Sequence, residues 1–99
     1  MLYAIAGTDA PDSLPGRVAA RAGHLARVTQ LRNQGRLVLA GPHPRLDTNE
    51  PGEAGYSGSL IIAEFASLAE AEAWATADPY VTSGVWAGVN VRPFVQVMP

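Results

Sequence analysis

Two ionisable side chains in this sequence have the chemistry that proton transfer requires. His24 lies in a stretch of good helix formers, and Asp78 comes directly before Pro79. An imidazole exchanges protons near neutral pH, and a carboxylate that contacts it determines which ring nitrogen carries the proton. In contact, the two residues would form a general base or acid whose other ring nitrogen is free to face a substrate.

Each of these residues also has a purely structural interpretation. His24 could lie on the flank of a helix and hydrogen-bond to a backbone carbonyl. An aspartate before a proline is typical of the N-cap of a short helix, so Asp78 could start a turn over 79–83 that ends at Gly84. The two roles of Asp78 are compatible, because one carboxylate oxygen can cap the turn while the other orients a histidine.

Arginines near His24 indicate how an anionic substrate would be held. Arg17, Arg21 and His24 are spaced by four and three residues, which places them on adjoining turns along one border of the helix. A guanidinium presents a rigid fork that matches a carboxylate or a phosphate. We therefore expect a small anionic organic ligand bound by Arg21 and Arg17, in a reaction that needs no cofactor.

Other kinds of site have weaker support. The chain has no cysteine, which excludes thiol nucleophiles and cysteine-ligated metals. His24 and His43 lie in distant segments without metal-ligand spacing, so we expect no metal site. Ser57 and Ser59 precede a strand instead of following one, which does not suit a nucleophile elbow. Haem remains an alternative, since a helical histidine can serve as its axial ligand.

The composition limits the possible partners. A net charge of -2 provides no general attraction to nucleic acid, and 47% hydrophobic residues with 16% charged residues suit a globular protein. No apolar run approaches the roughly 20 residues of a membrane span, and no signal-peptide pattern follows Met1. We expect one domain over residues 1–99, located in the cytoplasm, with neither a membrane nor a nucleic acid as partner.

Six main elements must position the chemical residues. The patterns predict four strands, over Leu2–Gly7, Arg36–Gly41, Ser57–Phe65 and Trp86–Arg92, and the last of them could extend as far as Val97. They predict two helices, over Leu14–Gln34 and from Ser67 to about Ala77. The order βαββαβ predicts a ferredoxin-like α+β fold, in which two helices cover one face of a four-stranded antiparallel sheet. The long connection over 42–56 is a candidate lid.

Helical periodicity predicts which side chains are buried. The expected stripe of the first helix consists of Leu14, Val18, Ala22, Leu25 and Val28, and that of the second consists of Leu68, Ala71, Trp74 and Ala75. The second helix begins with a capping box, in which Ser67 and Glu70 satisfy backbone N–H groups.

Two strands lack the polar alternation of a sheet with one wet face. Residues 37–40 and 60–63 are apolar throughout, which predicts burial on both faces. Because both helices lie on one face, the other face needs a second molecule. The sequence therefore predicts a homodimer that joins its sheets face to face.

Several short motifs together resemble the YciI-like (YCII-related) family over nearly the whole chain. They are Arg21-Ala22-Gly23-His24-Leu25, the segment 35–42, Gly58-Ser59-Leu60, Ala77-Asp78-Pro79-Tyr80 with Gly84-Val85, and Val91-Arg92-Pro93. The resemblance implies a dimeric α/β barrel of ferredoxin-like protomers. The sequence departs from short members in its longer loop between Pro44 and Tyr56.

The same resemblance implies a site and a type of chemistry. His24 and Asp78 correspond to the histidine and aspartate pair of the family, and Arg21 and Ser59 are possible neighbours in the pocket. The known chemistry of the family is lyase-type removal of HCl from chlorinated ring-cleavage or muconate-like acids. We expect acid/base chemistry of the lyase or isomerase type; the alternative is a non-catalytic module that binds a metabolite or another protein with the same fold.

Overall fold

The computed structural model describes residues 1–99 and contains four strands and three α-helices. In chain order they are β1 (Leu2–Asp9), α1 (Leu14–Asn33), β2 (Leu37–Pro44), a 3-10 turn (Gly52–Ala54), β3 (Tyr56–Glu64), α2 (Leu68–Thr76), α3 (Pro79–Thr82) and β4 (Trp86–Phe94). This confirms the predicted ferredoxin-like α+β order. None of the helices combines the length and the apolar character that crossing a bilayer requires.

The sheet is antiparallel with the strand order β2-β3-β1-β4, so the first strand of the chain is central. Ile5 lies opposite Ile61 of β3 and Val91 of β4, which places the three side chains on the same face. Because side chains alternate along a strand, the side chains of Tyr3 and Asp9 also point to this face, and Gly7 leaves space on it. The helices cover it, and Ile5 and Ile61 are almost completely buried.

Trp86 sets the packing at one end of this face. Its indole lies against the backbone of Gly7, at a place where the Cβ of any other residue would overlap the ring. Trp86 in turn contacts the rings of Tyr80 and His24. A small residue in the central strand therefore allows the aromatic cluster beneath α1 to form.

The predicted buried stripe of α1 is wrong in most of its positions. The buried residues are Arg17, His24, Val28 and Leu31, whereas Val18 is 69% and Leu25 is 41% exposed. A prediction from hydrophobic periodicity assumes that polar side chains lie outside the core. Arg17 and His24 are buried nevertheless, because each is paired with a carboxylate that offsets the free-energy cost of burying a polar group. The helix is consequently rotated relative to the prediction.

The second helix follows its prediction more closely. Ala71 and Ala75 are fully buried and Trp74 packs against the core, whereas Leu68, which was expected to be buried, is 39% exposed. Ser67 caps the helix by accepting a hydrogen bond from the backbone N–H of Glu70 at 3.1 Å. Asp78 caps α3, as the Asp-Pro pattern predicts, and Gly84 follows with a left-handed φ of 79°.

Strand β2 extends three residues beyond its predicted end and includes His43, which the sequence placed in a loop. Pro42 and Pro44 are compatible with this strand because β2 is an edge, where a missing N–H breaks no hydrogen bond to a neighbour. The connection before β3 is correspondingly shorter and carries the 3-10 turn. At the other end, β4 stops at Phe94 and does not reach Val97.

The face of the sheet opposite the helices is open in the single chain. A shift of register between Leu37 and Leu39 leaves Val38 as an extra residue, and both Val38 and Leu39 are more than 40% exposed. Phe94 is also exposed on this face, opposite Leu2. The expectation that β2 is buried on both faces is thus not met within one chain, and its cover by a second molecule stays a prediction.

We expect Gly7→Ala to lower the free energy of unfolding by about 2–3 kcal/mol, because the added methyl group overlaps Trp86 and forces repacking. Gly88→Ala is the matched control in the same sheet, since a Cβ there meets nothing within 4 Å. Urea unfolding followed by circular dichroism measures both. Equal stability of the two variants would contradict the proposed packing.

Candidate active site

His24 and Asp78 are 54 residues apart in the chain and meet beneath α1. The Nδ1 of His24 lies 2.9 Å from Oδ1 of Asp78. Both residues are buried, with 7% of His24 and none of Asp78 exposed. The structure therefore brings together the two residues that the sequence selected for proton transfer.

The carboxylate of Asp78 accepts hydrogen bonds on both oxygens. Oδ1 accepts from His24 and from the backbone N–H of Tyr80 at 2.9 Å, and Oδ2 accepts from Arg27 at 3.1 Å. The cap and the histidine thus share one oxygen, where the sequence suggested one oxygen for each. Arg27, which the sequence did not indicate as a site residue, donates to the other.

Asp78 is held in its ionised form. Burial by itself raises its pKa, but the hydrogen bonds from His24 and Tyr80 and the charges of His24 and Arg27 together keep the pKa below its ordinary value of 3.8. An ionised carboxylate can only accept, so His24 carries a proton on Nδ1. In the neutral imidazole the other nitrogen, Nε2, then has a free lone pair.

Two aromatic rings fix the orientation of the imidazole. The ring of Tyr80 stacks on His24 with centroids 4.1 Å apart and planes inclined by 17°. The indole of Trp86 meets the imidazole edge-on, with centroids 5.7 Å apart. Rotation of the imidazole is therefore restricted by Asp78 at one nitrogen and by a ring on its face.

His24 forms part of the wall of a cavity of about 680 Å³ between α1 and the β2 side of the sheet. The α1 wall carries Arg21 and apolar side chains that include Val18 and Leu25, and residues 49–52 also line the cavity. The apolar side chains that are exposed on α1 thus border this cavity. Its volume suits a small organic molecule.

Arg21, Arg17 and Ser59 all line this cavity, but they differ in what they can bind. Arg21 is exposed and makes no ion pair within the protein. Arg17 is buried and pairs with both carboxylate oxygens of Asp9, at 3.0 and 2.8 Å. It also donates to the hydroxyl of Ser59 at 3.0 Å, so most hydrogen-bonding capacity of Arg17 is already used inside the wall.

Sequence reasoning missed three residues at this site: Asp9, Arg27 and Tyr80. A signal existed for Asp9, since it continues the buried alternation of Tyr3, Ile5 and Gly7 and a charge there requires a partner. Arg27 is one turn beyond His24 and therefore on the same side of the helix. Tyr80 had no signal of its own, because a tyrosine after Asp-Pro is also an ordinary core residue.

A smaller cavity of about 470 Å³ lies beside the start of α1 and contains Asp9, Asp12 and Glu53. It holds neither His24 nor Asp78. No group of three or more His, Cys, Asp or Glu side chains in the structure could hold a metal ion. We therefore assign the candidate site to the larger cavity.

Fold and site together define a class of protein, namely small ferredoxin-like domains with a buried histidine–aspartate pair whose histidine lines a cavity. The model of the YCII-related domain matches residues 1–95. The chain belongs to this family, which confirms the resemblance seen in its motifs.

Individual relatives agree with this assignment. The chain is 54% identical to protein YciI of Escherichia coli O6:H1 (strain CFT073) over 97 residues, which are 98% of this chain and 99% of that protein. It is 48% identical, with the same coverage, to an uncharacterized protein of Haemophilus influenzae (strain KW20). Among solved structures it resembles 5-chloro-2-hydroxyhydroquinone dehydrochlorinase (TftG) of Burkholderia phenoliruptrix AC1100, in complex with 2,5-dihydroxybenzoquinone. The TM-score is 0.83 at 28% identity, covering 96% of this chain and 94% of that chain.

We expect Asp78→Asn to lower the free energy of unfolding at pH 7 by about 2 kcal/mol, because it weakens charge-assisted hydrogen bonds to His24 and Arg27. The pKa of Asp78 is lowered in the folded state, so its stabilising effect is complete above about pH 4 and is lost as the pH falls further. The difference between wild type and variant should therefore shrink below pH 4.

Urea unfolding between pH 2 and pH 8 measures this difference. The control is Asp47→Asn, which changes an exposed aspartate that makes no ion pair and should follow the wild type throughout. A constant gap between wild type and Asp78→Asn down to pH 2 would contradict the interpretation.

Proposed function

We propose that this protein is an enzyme that transfers a proton to or from a carbon atom of a small organic acid. His24 is the general base and acid, in chemistry of the lyase or isomerase type. The observation that carries the proposal is the 2.9 Å contact between Nδ1 of His24 and a fully buried, ionised Asp78. This contact leaves Nε2 as the basic atom of a side chain in the wall of a cavity.

Each residue of the pair has a separate task in such a reaction. Nε2 of His24 removes a proton from a carbon next to a carbonyl group, and the carbonyl oxygen takes up the electron pair. Asp78 stabilises the imidazolium that forms and preserves its tautomer. Return of the proton to another carbon gives an isomerisation, whereas departure of a leaving group from the neighbouring carbon gives an elimination.

Arg21 is the residue that we assign to the negative charge of the substrate. It lines the cavity and is exposed, and no carboxylate of the protein neutralises it. Arg17 and Ser59 contribute indirectly, since their mutual hydrogen bond and the ion pair with Asp9 hold this part of the wall rigid. A charged anchor at the rim and apolar side chains around it suit a flat, acidic organic molecule.

The structural relative supports the same type of chemistry. TftG is a dehydrochlorinase, and its solved complex contains 2,5-dihydroxybenzoquinone. That compound is a flat ring with carbonyl and acidic enol groups. Its enolate takes up a proton at a ring carbon as the enolate oxygen becomes a carbonyl, and loss of a proton from the resulting CH₂ group to a base restores the enolate. It therefore serves as a probe of proton transfer for this protein.

We expect the protein to accelerate the exchange of the ring hydrogens of 2,5-dihydroxybenzoquinone for deuterium in D₂O. Loss of the ring hydrogen signal in ¹H NMR spectra measures the rate. His24→Ala should reduce the accelerated rate by about 10²- to 10⁴-fold, because a positioned general base contributes that much. Circular dichroism establishes that the variant is folded.

The control variant is His43→Ala. His43 is the only other histidine of the chain, is exposed on β2 and does not line the cavity, so its removal should leave the exchange rate unchanged. Equal rates for wild type and His24→Ala would refute the assignment of the base. A wild type that binds the quinone without exchanging its hydrogens would instead favour a non-catalytic binding module.

We also propose that two copies associate through the open face of the sheet. That face carries Leu39, Leu60, Ile62 and Phe94, and a second sheet packed against it would bury the exposed members of this set. Removal of apolar surface from water contributes roughly 25 cal/mol per Å². A second copy presents the same apolar face, which makes it a complementary partner.

Leu39→Glu should convert a dimer into a monomer, because it places a charge in the proposed interface. Leu39 is 46% exposed in the single chain, so the substitution leaves the protomer intact. Leu46→Glu is the control, since Leu46 is equally apolar and 55% exposed but lies outside the sheet. Sedimentation velocity measures the mass, and a monomeric wild type would rule out this association.

A further inference from the structure

Tyr80 occupies a position beside His24 that its role in the core does not explain fully. Its side chain is 2% exposed and lines the cavity together with His24. Its backbone N–H and Nδ1 of His24 both contact Oδ1 of Asp78 at 2.9 Å. A single oxygen of Asp78 thus positions both the imidazole of His24 and the backbone of Tyr80. This shared contact holds the rings of His24 and Tyr80 in a stack.

The hydroxyl of Tyr80 is a neutral donor at physiological pH. Burial raises the pKa of Tyr80 and outweighs the charges of Arg17 and Arg21, which lower it. The guanidinium carbon of Arg17 lies 4.9 Å from the ring centroid. Because arginine only donates hydrogen bonds, Arg17 cannot accept the O–H of Tyr80, which remains available to an acceptor in the cavity.

A proton transfer by His24 creates a need for such a donor. When the C–H bond of the substrate breaks, its proton moves to Nε2, a carbon–carbon double bond forms, and the carbonyl electron pair moves to oxygen. Preorganised donors aimed at the oxygen that gains charge are among the largest contributions to catalysis in closed sites.

We propose that Tyr80 is a second catalytic residue, whose O–H donates a hydrogen bond to the substrate oxygen that becomes negative as His24 removes the proton. This proposal rests on the proposed function and adds to it the group that stabilises the enolate. Arg21 then binds the charge that the substrate already carries, whereas Tyr80 acts on the charge that develops during the reaction. The two cavity residues therefore affect different kinetic constants.

Tyr80→Phe tests the proposal because it removes the hydroxyl and keeps the ring that stacks on His24. In the deuterium exchange of 2,5-dihydroxybenzoquinone we expect kcat to fall by about 10²-fold with little change in KM, as for the loss of one oxyanion donor. The control is Tyr3→Phe, a buried tyrosine of the core that does not line the cavity, which should retain the wild-type kcat.

A purely structural role predicts a different result. If Tyr80 acts only by stacking, Tyr80→Phe has the kcat of the wild type while Tyr80→Leu loses activity, and the proposal is overturned. If His24→Ala exchanges as fast as the wild type, the proposed function fails instead. Should Tyr80→Phe not fold, protein labelled with 3-fluorotyrosine replaces it, since a more acidic phenol donates more strongly. An unchanged kcat of the labelled protein would then contradict the role of the hydroxyl.

Discussion

The carboxylate of Asp78 is the interaction on which the rest of this site depends. An isolated buried charge costs several kcal/mol, and here three donors from two helices compensate that cost. Because the donors come from α1 and from the first turn of α3, the carboxylate fixes the position of one helix relative to the other. The same bonds that stabilise the fold therefore determine the geometry of the imidazole.

A second ion pair repeats this arrangement two helical turns earlier. Arg17 and His24 are seven residues apart on α1, which corresponds to a rise of about 10.5 Å. Each is buried and paired with a carboxylate, of Asp9 and Asp78 respectively, and the ring of Tyr80 contacts both side chains. Two polar residues thus share the buried face of this helix with Val28 and Leu31, and the exposed apolar residues Val18 and Leu25 line the cavity. A departure from the usual apolar pattern of this kind is expected at functional sites.

Membership in the YCII-related family accounts for the fold, but fold alone does not define a reaction. In the proposed function, the groups that act on the ligand are Nε2 of His24, the hydroxyl of Tyr80 and the guanidinium of Arg21. We assign them three separate tasks: proton transfer, stabilisation of developing charge and binding of existing charge.

The sequence by itself determined the order of elements, the caps at Ser67 and Asp78, and the pairing of His24 with Asp78, since these follow from local patterns and from motifs of the family. The tertiary structure decided which face of α1 is buried, because that depends on Asp9 and Asp78, carboxylates that lie outside the helix. It also decided that Arg17 binds Asp9 inside the wall and that Tyr80 stacks on the imidazole. Contacts between residues 8 to 60 positions apart leave no periodic trace in a chain, so hydrophobic spacing could not reveal them.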